Sequence, residues 1–381
     1  MKIVQILVSF LLLYSCFDNE KPEPNPEEPM EFLWEYSYTY EGWGPYMIPT
    51  IVGDSLVFIT GDNNITCILI NSGRVKWTTK VSETWNSTIR NFLYDNRQIY
   101  GWQVQEGVFT LNIISGEEVW KYEIGNHDRF GHYHDISFDS YFVGTYDDTT
   151  GWFWSFSKDG NVNLRKRIPH AIWSITYLNG KIYCGQGWRD NSILQTVGRV
   201  LCLDAINGDS LWAYNTVHGS FISNIPIFDN NVIYSGTVFS ESGHNIIVAL
   251  NADTGDEIWT FSREGQYADY NDIKLVDGVL YCSTNTGVVA ISADTGQELW
   301  FTEPVFSHNE NTLDYWNGYI YIPHTGSLWV LEAETGEIVH KMRGPDKSPV
   351  LKVSAGAGKI FVQSSQHLYA FTPYDPEKDN D

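Results

Sequence analysis

Basic residues are scarce. The 381-residue chain has 24 Lys and Arg against 47 Asp and Glu, a formal net charge of −23. Nucleic-acid backbones need cationic contacts, so this balance excludes nucleic acid as a partner and charge-driven docking on anionic lipid. Cysteine is scarce too, with five residues. None is adjacent to another and no C-x-x-C occurs, which removes the haem-attachment and zinc-ribbon patterns. There is no G-x-S-x-G and no H-E-x-x-H. Sustained helical periodicity is missing after residue 30, which excludes helical-hairpin repeats.

What is present is a repeat. "ALNADTGDEIW" (249–259) returns as "AISADTGQELW" (290–300), with a Gly followed four residues later by Trp. The frame recurs as "CILINSGRVKW" (67–77), "TLNIISGEEVW" (110–120) and "CLDAINGDSLW" (202–212). These copies give the pairs Gly73/Trp77, Gly116/Trp120, Gly208/Trp212, Gly255/Trp259 and Gly296/Trp300. Two degraded copies keep the Gly, at Gly160 and Gly336, with Leu164 and His340 in place of Trp. Successive glycines lie 40 to 48 residues apart, which suits four short strands and their turns.

Each unit carries β-rich runs such as "NVIYSG" (231–236) and "NIIVALNA" (245–252), bounded by Gly, Asn and Asp. In the D-x-T-G turns the Asp or Asn bonds back to the backbone, and Gly takes the position with φ above zero. The Trp falls on the outermost strand, where it packs between neighbouring units. The chain ends after two strands of a unit, at 358–375, and its missing outer strand is at the front, in "EFLWEYSY" (31–38). The sequence therefore predicts an all-β, eight-bladed propeller of four-stranded antiparallel blades. The N-terminal strand closes the ring and leaves no open edge.

The turns resemble those of the pyrroloquinoline-quinone-type (PQQ-like) β-propeller repeat family over nearly all of residues 31–375. The resemblance implies the propeller fold and leaves the function open, since one fold hosts many functions. The family includes quinoprotein dehydrogenases, which carry an adjacent Cys pair beside the quinone and carboxylate and Asn ligands for calcium. No Cys pair exists here, no matching calcium ligands can be placed, and Asp147 and Asp148 read as a solvated turn. No catalytic residue, metal ligand or cofactor carries over. The family also includes a non-catalytic lipoprotein scaffold of the outer-membrane barrel-assembly machinery. On that likeness the expectation is a non-enzymatic interaction scaffold in the cell envelope; a glycan-binding surface lipoprotein is the alternative, and a quinone-dependent enzyme ranks third.

The N-terminus points to the same place. "MKIVQILVSFLLLYSC" has one Lys, an apolar run too short to cross a bilayer, and Cys16. It reads as a signal peptide over 1–15, and "LYSC" resembles a lipobox that makes Cys16 the lipidated first residue. An acidic, Pro-rich stretch to residue 30 reads as a tether, and residues 376–381 as a disordered tail. Acidic residues soon after the Cys resemble the surface-export signal of Bacteroidetes lipoproteins. The expectation is an outer-membrane lipoprotein, periplasmic-facing or surface-exposed, monomeric, and held to the membrane by its lipid alone.

The loops between blades are rich in aromatic residues and hold six of the ten histidines. They share one face with the loops joining the two middle strands, and the D-T-G turns take the other. The candidate binding residues on the first face are Trp43, Trp85, His134, His170, His218, Phe221, Tyr270 and His308, since aromatics and His enrich contact surfaces. Histidines on separated blades are too far apart for one metal ion. Cys184 and Cys202 fall on neighbouring strands of one blade, either as a disulfide or as buried thiols.

Overall fold

The structure is a computed structural model. It describes residues 29–38, 48–60, 64–80, 92–103, 107–124, 129–131, 133–147, 150–219, 221, 227–238, 245–263, 270–284, 286–303, 313–324, 326–345 and 347–378, with backbone alone at 57–60, 129, 270 and 271. These residues form strands and turns and no helix, so no helix among them is long and apolar enough to cross a membrane. The strands make eight separate antiparallel sheets. In seven of them the order across the sheet follows the chain. The eighth runs Phe32–Ser37, His367–Phe371, Lys359–Gln363, Lys352–Gly356, so the first strand completes the last blade. Blade 3 has its inner strand split in two, Arg129–Phe130 and Asp135–Ile136, both paired to Ser140–Tyr146.

The apolar core is divided in the same way. Eight clusters of buried residues each join two consecutive blades, the last being Trp34, Leu56, Ile68, Ile70, Phe361, Leu368 and Ala370 between blades 8 and 1. Sheets with both faces buried against neighbours read as near-continuous apolar middle strands, such as Ile247–Asn251.

The Gly–Trp frame explains how one blade locks to the next. Each Trp lies under the turn of the following blade and donates its indole N–H to a carbonyl there: Trp77 to Ile113, Trp120 to Lys158, Trp212 to Ala252, Trp259 to Ala293 and Trp300 to Ala333, at 2.8–3.1 Å. The turn Gly rests on that ring. A Cβ at Gly255 would lie 2.5 Å from Trp212, and its φ of +77° disfavours any side chain. The two degraded copies differ in cause. Leu164 still meets its turn, at Gly208. His340 faces blade 8, where the chain ends replace the turn, and packs on Tyr374 at 5.8 Å.

Those chain ends are held together. Glu31 and Thr372 exchange hydrogen bonds, and Asp375 N–H donates to Pro29. Met30 is buried with Tyr374 against blades 7 and 8. The packed body thus includes Pro29–Met30, inside the stretch expected to be tether, and residues 376–378 continue it as a turn. Cys67, Cys184, Cys202 and Cys282 are all free, buried thiols. Cys202 pairs across the ladder with Tyr183, so adjacent Cys184 projects from the opposite face of the sheet and into a different cluster. That geometry selects thiols over a disulfide.

Candidate functional site

The second strand of a blade ends on the face that carries the inter-blade loops. There a polar residue recurs at one register position, within a residue of the strand's end or, in blade 4, inside the longer strand: Gln103, Thr145, Gln186, Thr237, Thr284, His324 and Ser364. All seven are buried. Several fasten loops. Gln186 Nε2 donates to the carbonyls of Pro169 (2.8 Å), His170 (3.2 Å) and Ala171 (3.4 Å), and Thr237 Oγ1 donates to the carbonyl of His218 (2.5 Å). Loop backbone is drawn so close that Gly185 has no room for a Cβ, which would lie 2.3 Å from the Phe221 carbonyl. Sequence reasoning passed over this set; its signal is a polar residue recurring after an apolar stretch at constant register.

The longest hairpin rises from blade 4, where Lys181–Asp190 and Gln195–Asp204 each run ten residues. It carries an aromatic and cationic cluster. The His170 ring stacks on Trp188 at 3.8 Å and 8°, and the Arg199 guanidinium lies 4.8 Å from the same ring while its Nε donates to Asn215 Oδ1. Tyr146, at the end of the second strand of blade 3, meets Trp173 on the inner strand of blade 4 at 4.5 Å. Burial and then the Arg199 charge lower the His170 pKa, against a weaker pull from Asp190, which favours the neutral imidazole. Its φ of +65° puts a non-glycine residue in the left-handed region, held there by Gln186.

The eight candidate residues separate on inspection. His170 and His218 lie at this surface, half-buried and exposed respectively. His134 and Phe221 do not. His134 is 2% exposed and bonded through Nδ1 to the Tyr141 hydroxyl, and Phe221 is fully buried between blades 4 and 5. Both are packing groups beneath the face, a correction to their reading as contact residues. Phe221 is drawn in over Gly185 and Gly198, and His134 is held by Tyr141. Tyr270 opens an inner strand and pairs with Thr284. Its side chain, together with Trp43, Trp85, His308 and Cys16, lies outside what the structure describes. Trp188, Arg199 and Trp173 are surface features the sequence reading did not select.

Among the described residues no three His, Cys, Asp or Glu converge as metal ligands. The four described cysteines lie in four different clusters, so no two of them form an adjacent pair.

Comparison with known proteins places the fold. A family model described as "Outer membrane protein assembly factor BamB" matches residues 30–136 and 171–375. The chain belongs to this BamB-type family of PQQ-like propellers. The unmatched stretch covers the last three strands of blade 3, the blade whose Trp is replaced by Leu164. BamB from Moraxella catarrhalis superposes with a TM-score of 0.67 at 13% identity, covering 90% of this chain and 99% of that one. The quinohemoprotein alcohol dehydrogenase ADHIIG from Pseudomonas putida HK5 gives 0.69 at 10% identity, covering 91% and 77%. The computationally designed Ika8 protein gives 0.67 at 14%, covering 88% and 98%. No curated protein matches the chain. Identities this low carry the fold, which BamB-type scaffolds and dehydrogenases share, and leave the chemistry to the residues.

Proposed function

We propose that the protein is a non-catalytic, lipid-anchored interaction scaffold of the outer membrane. Its contact face is the one bearing the blade 4 hairpin. The observation that supports this is the Trp188–His170–Arg199 cluster, backed by Tyr146 and Trp173. Trp, Tyr and Arg are the residues that dominate protein interfaces, and here they sit on paired strands rather than on free loops. The inter-blade loops bearing Trp43, Trp85, Tyr270 and His308 belong to the same proposed face. The family resemblance supports envelope proteins as partners.

Pull-down from solubilised envelopes with Trp188→Ala and Arg199→Ala tests the reading. Each is expected to weaken capture of a specific envelope protein by on the order of tenfold, about 1–2 kcal/mol. Glu257→Ala, in the opposite turns, should leave it intact. Capture equal for all three would place the contact elsewhere. Binding to isolated oligosaccharides instead, lost in the same two variants, would favour a glycan ligand.

A further inference from the structure

On the opposite face, that of the D-T-G turns, a cleft of about 410 Å³ lies between blades 6 and 7. Its walls include Tyr281, Trp300, Tyr315 and Tyr319, and its rim Glu332 and Glu334. Tyr281 stands 6.0 Å from Trp300 and 6.1 Å from Tyr315, ring centroid to centroid. Neither glutamate has a cationic partner among the described residues. Glu332 accepts only the hydroxyl of Thr335, and Glu334 stands close enough to help raise the Tyr281 pKa.

At one other junction the equivalent place is filled from within the chain. Between blades 4 and 5 the residue equivalent to Glu334 is Asp253. It receives Lys181 Nζ at 2.5 Å and Asn231 Nδ2 at 2.9 Å, which hold its carboxyl below the usual range. By ladder register the positions of Lys181 and Asn231 are occupied at the 6/7 junction by Val279 and Gly318. Both partners of the acid are thus gone, while the acid and the rings remain. Between blades 2 and 3 the protein shows what such a cleft holds. There Lys158 Nζ sits 4.9 Å from the centre of the Tyr100 ring, the counterpart of Tyr281, and pairs with Asp95 at 3.0 Å.

We propose that the 6/7 cleft binds an organic cation, an alkylammonium or guanidinium group, between the rings of Tyr281, Tyr315 and Trp300 and the carboxylate of Glu334. The cation takes the place that Lys181 fills from within the chain at the 4/5 junction and Lys158 at the 2/3 junction. Aromatic faces attract cations through their quadrupole, and a carboxylate at the rim adds the Coulomb attraction. A cavity of this size admits a side chain or a small amine, and the chain's charge of −23 favours a positive ligand. The site is independent of the scaffold reading, since it lies on the other face and has its own ligand.

Calorimetric titration of the intact protein with N-acetyl-lysine methylamide, N-acetyl-arginine amide and neutral N-acetyl-norleucine amide tests it. The two cations are expected to bind in the millimolar range, about 1 mM, and the neutral analogue not to bind. Glu334→Gln should weaken both cations by about tenfold. Val279→Lys with Gly318→Asn, which rebuilds the partners of Asp253, should abolish binding. Asn231 holds a φ of +67°, so Asn suits the left-handed position of Gly318. A circular dichroism spectrum and melting temperature no lower than wild type for the double variant show that the cleft was filled rather than unfolded. No cation binding, equal binding of the norleucine analogue, or affinity unchanged in both variants would each overturn the assignment.

Discussion

Trp34 donates its indole N–H to the carbonyl of Ile70 at 2.9 Å, and in doing so joins the first strand of the chain to the first complete blade. Trp34 also pairs through its backbone with Ala370, near the chain's other end. One residue therefore ties blade 8 to blade 1, and Gly73 of blade 1 rests on its ring. The same Trp-to-carbonyl bond recurs at five further junctions, but only here does it close the circle.

Removing that closure should cost more than its local contacts. Trp34 is 8% exposed, and truncating a buried Trp costs about 3–5 kcal/mol. Trp34→Ala is expected to lower the melting temperature clearly, and Trp34→Phe to lose mainly the hydrogen bond, about 1 kcal/mol. Deleting residues 17–28, which precede the packed Pro29–Met30, should leave the midpoint near wild type. Denaturant melts of the three variants decide this; a 17–28 deletion as damaging as Trp34→Ala would refute ring closure as the source of the loss.

The turn glycines should tolerate nothing larger. Gly296 has a φ of +69°, and a Cβ there would lie 2.6 Å from the Trp259 ring. Gly296→Ala combines backbone strain of about 1 kcal/mol with displacement of the ring and loss of its bond to Ala293. Gly278→Ala has a similar φ of +78° but open space around it, so it should carry the strain alone. The stability difference between the two variants measures the Gly–Trp contact, and equal losses would show that the ring contributes nothing.

How much could be seen in advance follows from these contacts. The frame was legible because each Gly and Trp answers a local need that repeats with the blade: a left-handed turn, and a ring to lie beneath it. The shared blade was legible because Trp34 keeps the interval to Trp77. The site was less so. Phe221 and His134 lie in loop segments that sequence places at the surface, and what buries them is a glycine on another strand, or a tyrosine seven residues on. Trp188 stands at the surface because its hairpin strands run longer than those of its neighbours, a tertiary feature with no mark of its own. The open 6/7 cleft depends on Val279 and Gly318, residues notable only beside Lys181 and Asn231.

Lipidation of Cys16 remains a sequence-based proposal with a direct test. Cys16→Ser should move the mature protein from the membrane to the soluble fraction, because the acyl chains are its proposed hold on the bilayer. Unchanged membrane retention of the variant would sink it.

A last prediction concerns pH. Asp272 on the inner strand of blade 6 accepts the N–H groups of Ile273 and Leu313, the second from blade 7. Burial, with a smaller contribution from Asp314, pushes its pKa up from 3.8 to about 6, while Lys274 and the two N–H groups oppose the rise. Lys274 itself pairs with Asp314 at 3.0 Å. Because the folded-state value exceeds the unfolded one, the native protein holds this proton more tightly. The resulting stabilisation is full below about pH 4 and is lost as pH rises through 6. Asp272 is half-buried rather than sealed, and Lys274 faces it, so the change should be about 1–2 kcal/mol, less than the shift alone implies. Asp272→Asn cannot titrate. Subtracting its unfolding free energy from that of wild type at each pH isolates this group from the other carboxylates. The difference is expected to fall between pH 4 and 6 and to level off above 7. A difference that rises with pH would mean that Lys274 and the backbone donors outweigh burial, and that the carboxylate acts as a conventional staple between blades 6 and 7.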